Sequence, residues 1–124
     1  MIDFQNAAFM KLRPVSDKDF GDMISPMFVP GEEIIQSFKG IRDGVVFTTK
    51  RIFAINVQGI TGKKKDFTSM PYSKIQAFSV ETAGTFDMDA ELEIYVSGLG
   101  KVKFEFSGSN DIVQIGKMIS EKVL

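Results

Sequence analysis

The sequence predicts a mainly β domain of the α+β class: a strongly bent, seven-stranded antiparallel sheet or barrel, capped by a C-terminal α-helix and preceded by an N-terminal helical extension. Three observations carry this. From Gly31 to Phe106, short apolar runs alternate with polar residues and are broken at close intervals by Gly, Asp and Asn, which is the signature of antiparallel strands joined by tight turns. After Ser107 the apolar period changes from two residues to that of a helix. Before Gly31 a capping serine and two prolines bracket a short segment that alternates poorly. The natural division is residues 1–30 as the helical extension and residues 31–124 as the main domain.

Taken in order, "SDKDFGDMI" offers Ser16 as an N-cap, with Asp17 and Asp19 near the positive end of a helix dipole. Pro26 and Pro30 should end that helix, and Met10 and Leu12 suit an earlier, shorter one. "EEIIQSFKGIRD" is the first strand, ended by the Asp43-Gly44 turn signal. "VVFTT" and "KRIFAINV" follow, with a corner at Thr49-Lys50. Arg51, Phe53, Ile55 and Val57 share one face, and Ile52, Ala54 and Asn56 the other. "QGITG" is a turn. "KKKDFTSMPY" is the fourth strand, with Pro71 at its end, where a missing N–H is tolerated. "KIQAFSVET" alternates Ile75, Ala77 and Ser79 against Gln76, Phe78 and Val80. "ELEIYVS" puts Leu92, Ile94 and Val96 inward and Glu91, Glu93 and Tyr95 outward. "SGLGK" turns into "KVKFEF", with Val102, Phe104 and Phe106 inward. In the last segment Ile112, Ile115 and Ile119 form a helical stripe, widened by Val113, Met118 and Val123. Ser109 or Asn110 suits its cap and Asp111 its first turn. Gly116 inside this helix costs about 1 kcal/mol relative to Ala, which close approach to the sheet would offset.

Composition narrows function by exclusion. The 124 residues suit one domain, and 44% apolar with 25% charged residues is an ordinary globular mix. There is no cysteine and no histidine. Thiol nucleophiles, disulfides, thiolate or imidazole metal sites and a Ser-His-Asp triad are therefore impossible, and the usual general base near neutral pH is missing. We expect no catalytic residue, no metal and no cofactor. The start, "MIDFQNAAFMKL", lacks the basic and apolar regions of a signal peptide, and lack of cysteine fits a reducing cytoplasm.

Seven antiparallel strands followed by one amphipathic helix is the order of a pleckstrin-homology (PH) domain. Residues 31–82 go further: "PGE" before the first strand, "FTTKRIFAI" across the second and third, "GKKKDFTSMPYSKI" leading to the fifth and "FSVET" within it resemble the bacterial PH domain family. The resemblance covers roughly residues 28 to 122. It implies a PH-like fold, assembly into cyclic rings, and no assigned activity for most members.

Each candidate motif has a plainer reading beside it. PH domains that bind phosphoinositides use basic residues on a long loop between their first two strands. Here "KGIRDGV" carries Lys39 and Arg42, but the turn is tight and Asp43 opposes a phosphate. Lys63, Lys64 and Lys65 alternate between the two faces of a strand, which suits protection of a sheet edge better than a grip on a membrane. "GITGKK" has Val57 and Lys64 where a phosphate loop needs Gly and Ser or Thr. "DMDAE" has Leu92 and Gly98 where a calcium loop needs Gly and Glu. Glu91, Glu93 and Glu105 read as solvated strand faces.

Net charge is −1, which argues against nucleic acid, but the charge is uneven. Residues 39–74 hold eight basic and two acidic groups, whereas the remainder holds seven basic and fourteen acidic groups. Such blocks can complement each other between copies, as a head-to-tail ring requires. The extension adds apolar groups suited either to a neighbouring subunit or to the domain's own sheet, with Phe20, Met23, Met27 and Phe28 as candidate contacts. The leading expectation is thus a non-enzymatic module whose partner is itself or an unidentified protein. The alternative is peripheral binding of an anionic lipid or small acidic ligand through Lys39, Arg42 and Lys63–Lys65.

Overall fold

The computed structural model describes residues 1–5, 9–108 and 112–124. The expected cap residues Ser109, Asn110 and Asp111 lie outside them. Among these residues, eight strands and two α-helices follow in the order β1 (Phe9–Val15), α1 (Lys18–Ile24), β2 (Ile34–Lys39), β3 (Gly44–Thr48), β4 (Arg51–Gln58), β5 (Lys64–Pro71), β6 (Ile75–Glu81), β7 (Ala90–Val96), β8 (Gly100–Phe106) and α2 (Ile112–Val123). The seven strands read from the sequence are β2 to β8. The eighth, β1, corrects the helical reading of Met10 and Leu12.

The sheet order is β5-β4-β3-β2-β1-β8-β7-β6. Among the described residues, two antiparallel meanders, β2–β5 and β6–β8, are hydrogen-bonded into one sheet through β1, which pairs antiparallel with β2 and parallel with β8. No pairing joins β5 to β6 among the described residues, so the sheet is open and not a closed barrel. Strand β1 changes partner at a bulge, where Lys11 takes a left-handed φ of 55°. The bulge spaces the buried Phe9 and Leu12 three residues apart, which is helical spacing and the reason the strand resembles a helix in sequence.

The alternation of β3 and β4 builds two cores. Val45, Phe47, Ile52 and Ala54 face the main core, shared with β7, β8 and Ile112, Ile115 and Ile119 of α2. Val46, Phe53 and Ile55 face a second core under α1, with Phe20 and Ile24. Burial on both faces is why "VVF" and "IFAI" are unbroken apolar runs. Phe38 of β2 lies edge-on to Phe106 of β8, with ring centroids 4.7 Å apart, and so links the two meanders. On β6 the simple alternation fails. A register shift between Ile75 and Ala77 leaves Ile75 buried, Ala77 and Ser79 exposed, and Phe78 packed on the core from a new phase.

Helix α1 begins after Asp17, whose side chain makes no capping bond; the Ser16 hydroxyl accepts the Lys18 N–H at 3.2 Å instead. The helix stops at Ile24, before a single turn of 3-10 helix containing Pro26. In α2, Val113 is exposed and does not widen the buried stripe. Gly116 does approach the sheet: a Cβ there would lie 3.3 Å from Val80 Cγ1 and 3.7 Å from Phe78 Cε2. Gly44 is more constrained still. A Cβ on it would strike the Phe20 ring and lie 2.7 Å from the Phe38 carbonyl. We expect Gly44→Ala to lower stability by about 3 kcal/mol through overpacking, read as a lower urea midpoint; an unchanged midpoint would mean that α1 yields without cost.

Candidate functional site

The family-like motifs converge on one buried ion pair. Val29–Glu32 is a tight turn in which the Glu32 N–H donates to the Val29 carbonyl at 3.0 Å. Pro30 presets its first central position and Gly31 supplies the φ of 83° that the second requires. The turn aims Glu32 inward, where its side chain is fully buried. Arg51, at the start of β4, donates from Nη2 to Oε1 at 2.8 Å and from Nε to Oε2 at 2.9 Å, a bidentate pair. The Thr48 hydroxyl donates to Oε2 at 2.7 Å, and the Val29 N–H to Oε1 at 3.1 Å.

The same groups hold the corner around them. Thr48 Oγ1 accepts the N–H groups of Lys50 and Arg51, which fixes the two-residue β3–β4 turn, and the Tyr72 hydroxyl donates to the Thr48 carbonyl at 2.8 Å. Arg51 Nη2 also donates to the Met27 carbonyl at 2.7 Å, and its guanidinium lies 4.4 Å above the Phe53 ring, on which Phe28 stacks. Burial raises the Glu32 pKa, but the Arg51, Thr48 and Val29 hydrogen bonds outweigh it and hold the carboxyl at about 2. Burial and the Glu32 charge push the Tyr72 hydroxyl well above its ordinary range. With its carboxylate buried and its donors spent on neighbouring turns and strands, this network is architectural. "PGE" and "TTKR" are legible in the sequence as motifs, but nothing there shows that they touch.

The predicted basic residues gather at one end of the β2–β5 meander. Lys39 ends β2, and the four-residue turn Gly40–Asp43 closes with the Gly40 N–H on the Asp43 carbonyl at 2.8 Å. Arg42 donates from Nη2 to the Gly59 carbonyl at 2.6 Å, tying this turn to the β4–β5 turn, and Asp43 accepts the Val57 N–H at 2.8 Å. Lys63, Lys64 and Lys65 are exposed, and the last two sit on β5, an edge strand.

The acidic residues lie across the sheet. Glu91 directly opposes Glu105, and Glu93 opposes Lys103. Lys103 Nζ approaches Glu91 at 3.2 Å, and Lys101 approaches Glu93 at 3.8 Å. Lys11, which the sequence reading passed over, reaches Asp89 at 2.6 Å and Glu105 at 3.9 Å. The carboxylates thus form a cross-strand ladder with lysines, and no group able to hold a metal ion occurs among the described residues. Of the apolar candidates, Phe20 is buried under its own α1 and Phe28 is partly buried on Phe53, whereas Met23 and Met27 are exposed.

A bent sheet of two meanders with a C-terminal helix packed across it is a pleckstrin-homology fold. It is shared with a crystal structure of a DUF1696 family protein with a pleckstrin-homology domain from Shewanella loihica PV-4, which is 39% identical with a TM-score of 0.80, covering 93% of this chain and 99% of that one. A pleckstrin homology domain from Shewanella amazonensis SB2B is 41% identical with a TM-score of 0.67, covering 96% and 93%. YjqA, an uncharacterised protein of Bacillus subtilis, is 44% identical over 99 residues, 78% of this chain and 79% of its own. The family model described as "Bacterial PH domain" matches residues 3–123, and the chain belongs to that family.

Because the folded-state pKa of Glu32 lies below its ordinary 4.5, its contribution to stability is complete above that pH and is lost as pH falls toward 2. Glu32→Gln should cost roughly 3 kcal/mol at neutral pH by leaving Arg51 without its counter-charge, as read from urea midpoints. The gap between variant and wild type should narrow as pH drops from 4.5 toward 2. A gap independent of pH would show that the ionised carboxylate is not the stabilising species.

Proposed function

We propose that this chain is a non-enzymatic PH-like module of the cytoplasm that assembles head to tail with copies of itself into a ring, presenting a repeated surface to a protein partner. The observation that supports this is the pair of open sheet edges. Among the described residues, strands β5 and β6 each pair with one strand only and so form the two edges of the sheet. The edges belong to oppositely charged halves. The basic residues 39–74 make up the end of β2 and all of β3, β4 and β5, whereas β6 to β8 and their connections carry Glu81, Asp87, Asp89, Glu91, Glu93 and Glu105 against Lys101 and Lys103.

A contact between two different surfaces of the same molecule is heterologous, and it closes into a ring when the rotation per subunit permits. Lys64 and Lys65 on the β5 edge would meet the Glu81 end of β6 on a neighbour. Lysines on an exposed edge deter pairing with arbitrary strands while favouring an acidic one. Exposed Met23 and Met27, next to the partly buried Phe28, offer adaptable apolar area for the same contact or for a further partner.

Size exclusion with light scattering tests the reading. We expect a mass several times 13.8 kDa at micromolar concentration, and a smaller mass when Lys63, Lys64 and Lys65 are all changed to Glu, more so at low salt. A monomeric wild type contradicts assembly; an unchanged mass in the variant removes these lysines from the interface.

A further inference from the structure

The β6–β7 connection, residues 82–89, carries "TFDMD", an aromatic and a methionine set between carboxylates. Phe86 is fully exposed and Met88 is largely so. A fully exposed phenylalanine forgoes one of the largest burial gains that a side chain offers. Three bonds hold the loop in the pose that presents it. The Gly84 N–H donates to the Asp87 carbonyl at 2.6 Å, and the Asp89 N–H donates to the Asp87 carboxylate at 3.0 Å. Lys11, at the β1 bulge, donates to the Asp89 carboxylate at 2.6 Å. A knob fastened outward is preorganised for contact with another molecule, since little conformational freedom remains to be lost on binding.

The same chain carries a hole that fits this knob. An open cavity of about 390 Å³ lies between β1 and the β2–β3 turn, with Phe9, Met10, Leu12 and Val57 as its apolar wall. An apolar cavity of roughly 150 Å³ already accepts benzene, so a phenylalanine ring has room. Ile41 stands at the lip, 92% exposed. The rim is cationic: Arg42 lines it and Lys39 precedes it, whereas the carboxylate there, Asp43, is spent on the Val57 N–H. Asp87, next to Phe86, carries the charge that complements this rim.

Knob and hole occupy one end of the molecule. Ala90, where the loop re-enters the sheet, pairs with Phe106, and Phe106 pairs with Leu12 in the cavity wall. With neighbouring strands about 4.8 Å apart, the root of the loop stands about 10 Å from Leu12. Two copies that meet at these ends can each insert Phe86 into the other, which makes the contact isologous.

We propose that two copies of this chain pair end to end by this exchange, each Phe86 seated against Phe9, Met10, Leu12 and Val57 of the other copy, with Asp87 facing Arg42. The contact is distinct from head-to-tail assembly. It is two-fold and uses neither the β5 nor the β6 edge, so it joins single chains or whole rings through a second surface.

The chain has no cysteine, so disulfide trapping reads this contact directly. A Phe86→Cys chain mixed with an Ile41→Cys chain under mild oxidation should form a disulfide between the two chains about tenfold faster than Phe86→Cys mixed with Val113→Cys. Val113 is also exposed, but on α2, which packs on Tyr72–Lys74 at the far end of β5. Met10→Asp in the Ile41→Cys chain puts a charge in the cavity wall and should slow trapping about tenfold. All four positions are at least half-exposed, so thermal stability should match the wild type. Equal trapping at 41 and 113 overturns the proposal, and so does trapping that Met10→Asp leaves unchanged. A chain carrying both Phe86→Cys and Ile41→Cys that closes only on itself also overturns it, by making the loop a lid over its own cavity. Loss of edge assembly in the wild type would not alter these outcomes, because the disulfide reports this contact alone.

Discussion

The bidentate contact between Glu32 and Arg51 is the constraint from which the rest of the architecture follows. It fastens the turn that precedes β2 to the first residue of β4, and through Thr48 it sets the corner between β3 and β4. With that corner fixed, the unbroken apolar runs of β3 and β4 must divide between two cores, one inside the bent sheet and one under α1. A buried ion pair is weak evidence for net stability, because desolvation offsets much of the attraction. What this pair contributes is a defined arrangement: four donors converge on one carboxylate.

Much of this fold was legible in the sequence. The seven strands β2 to β8, the turn at Thr49-Lys50, the terminal Pro71 and the isoleucine stripe of α2 all follow from local periodicity and turn chemistry, and the structure keeps them; the turn signalled by Asp43-Gly44 falls instead at Gly40–Asp43, with Gly44 opening β3. Strand β1 was hidden because its information is not local. Its parallel partner β8 lies at the other end of the chain, and its bulge at Lys11 converts a strand period into a helix-like one. Closure was misjudged for a related reason. Alternation specifies which face of a strand is buried, but not whether the first and last strands of a sheet meet. On β6 the register shift after Ile75 breaks an alternation that looked clean in sequence.

The candidate surfaces were legible in part. The basic block coincides with the β2–β5 meander, whereas the acidic remainder is spread over the N-terminal segment, α1 and the β6–β8 meander. The basic residues at 39–42 and 63–65 come to one end because antiparallel hairpins return the chain to the same place. The extension was read as a set of contacts of undecided direction. Its helix turns Phe20 and Ile24 onto the domain's own sheet and leaves Met23 and Met27 outside. The role of "PGE" and "TTKR" required coordinates, since a motif shows that residues recur together without showing that Glu32 and Arg51 touch. Lys11 gave no sequence signal at all, being one lysine among mixed neighbours.

The proposed assembly uses the two edges of the sheet, β5 and β6. Amide hydrogen exchange read residue by residue at low and high protein concentration addresses this most directly. Assembly through these edges predicts that outward amides of Lys64–Pro71 and Ile75–Glu81 slow together as concentration rises, while the interior strand β3 stays equally protected throughout. Edges that exchange equally fast at both concentrations, in a sample whose mass has increased, would contradict it and move assembly to another surface.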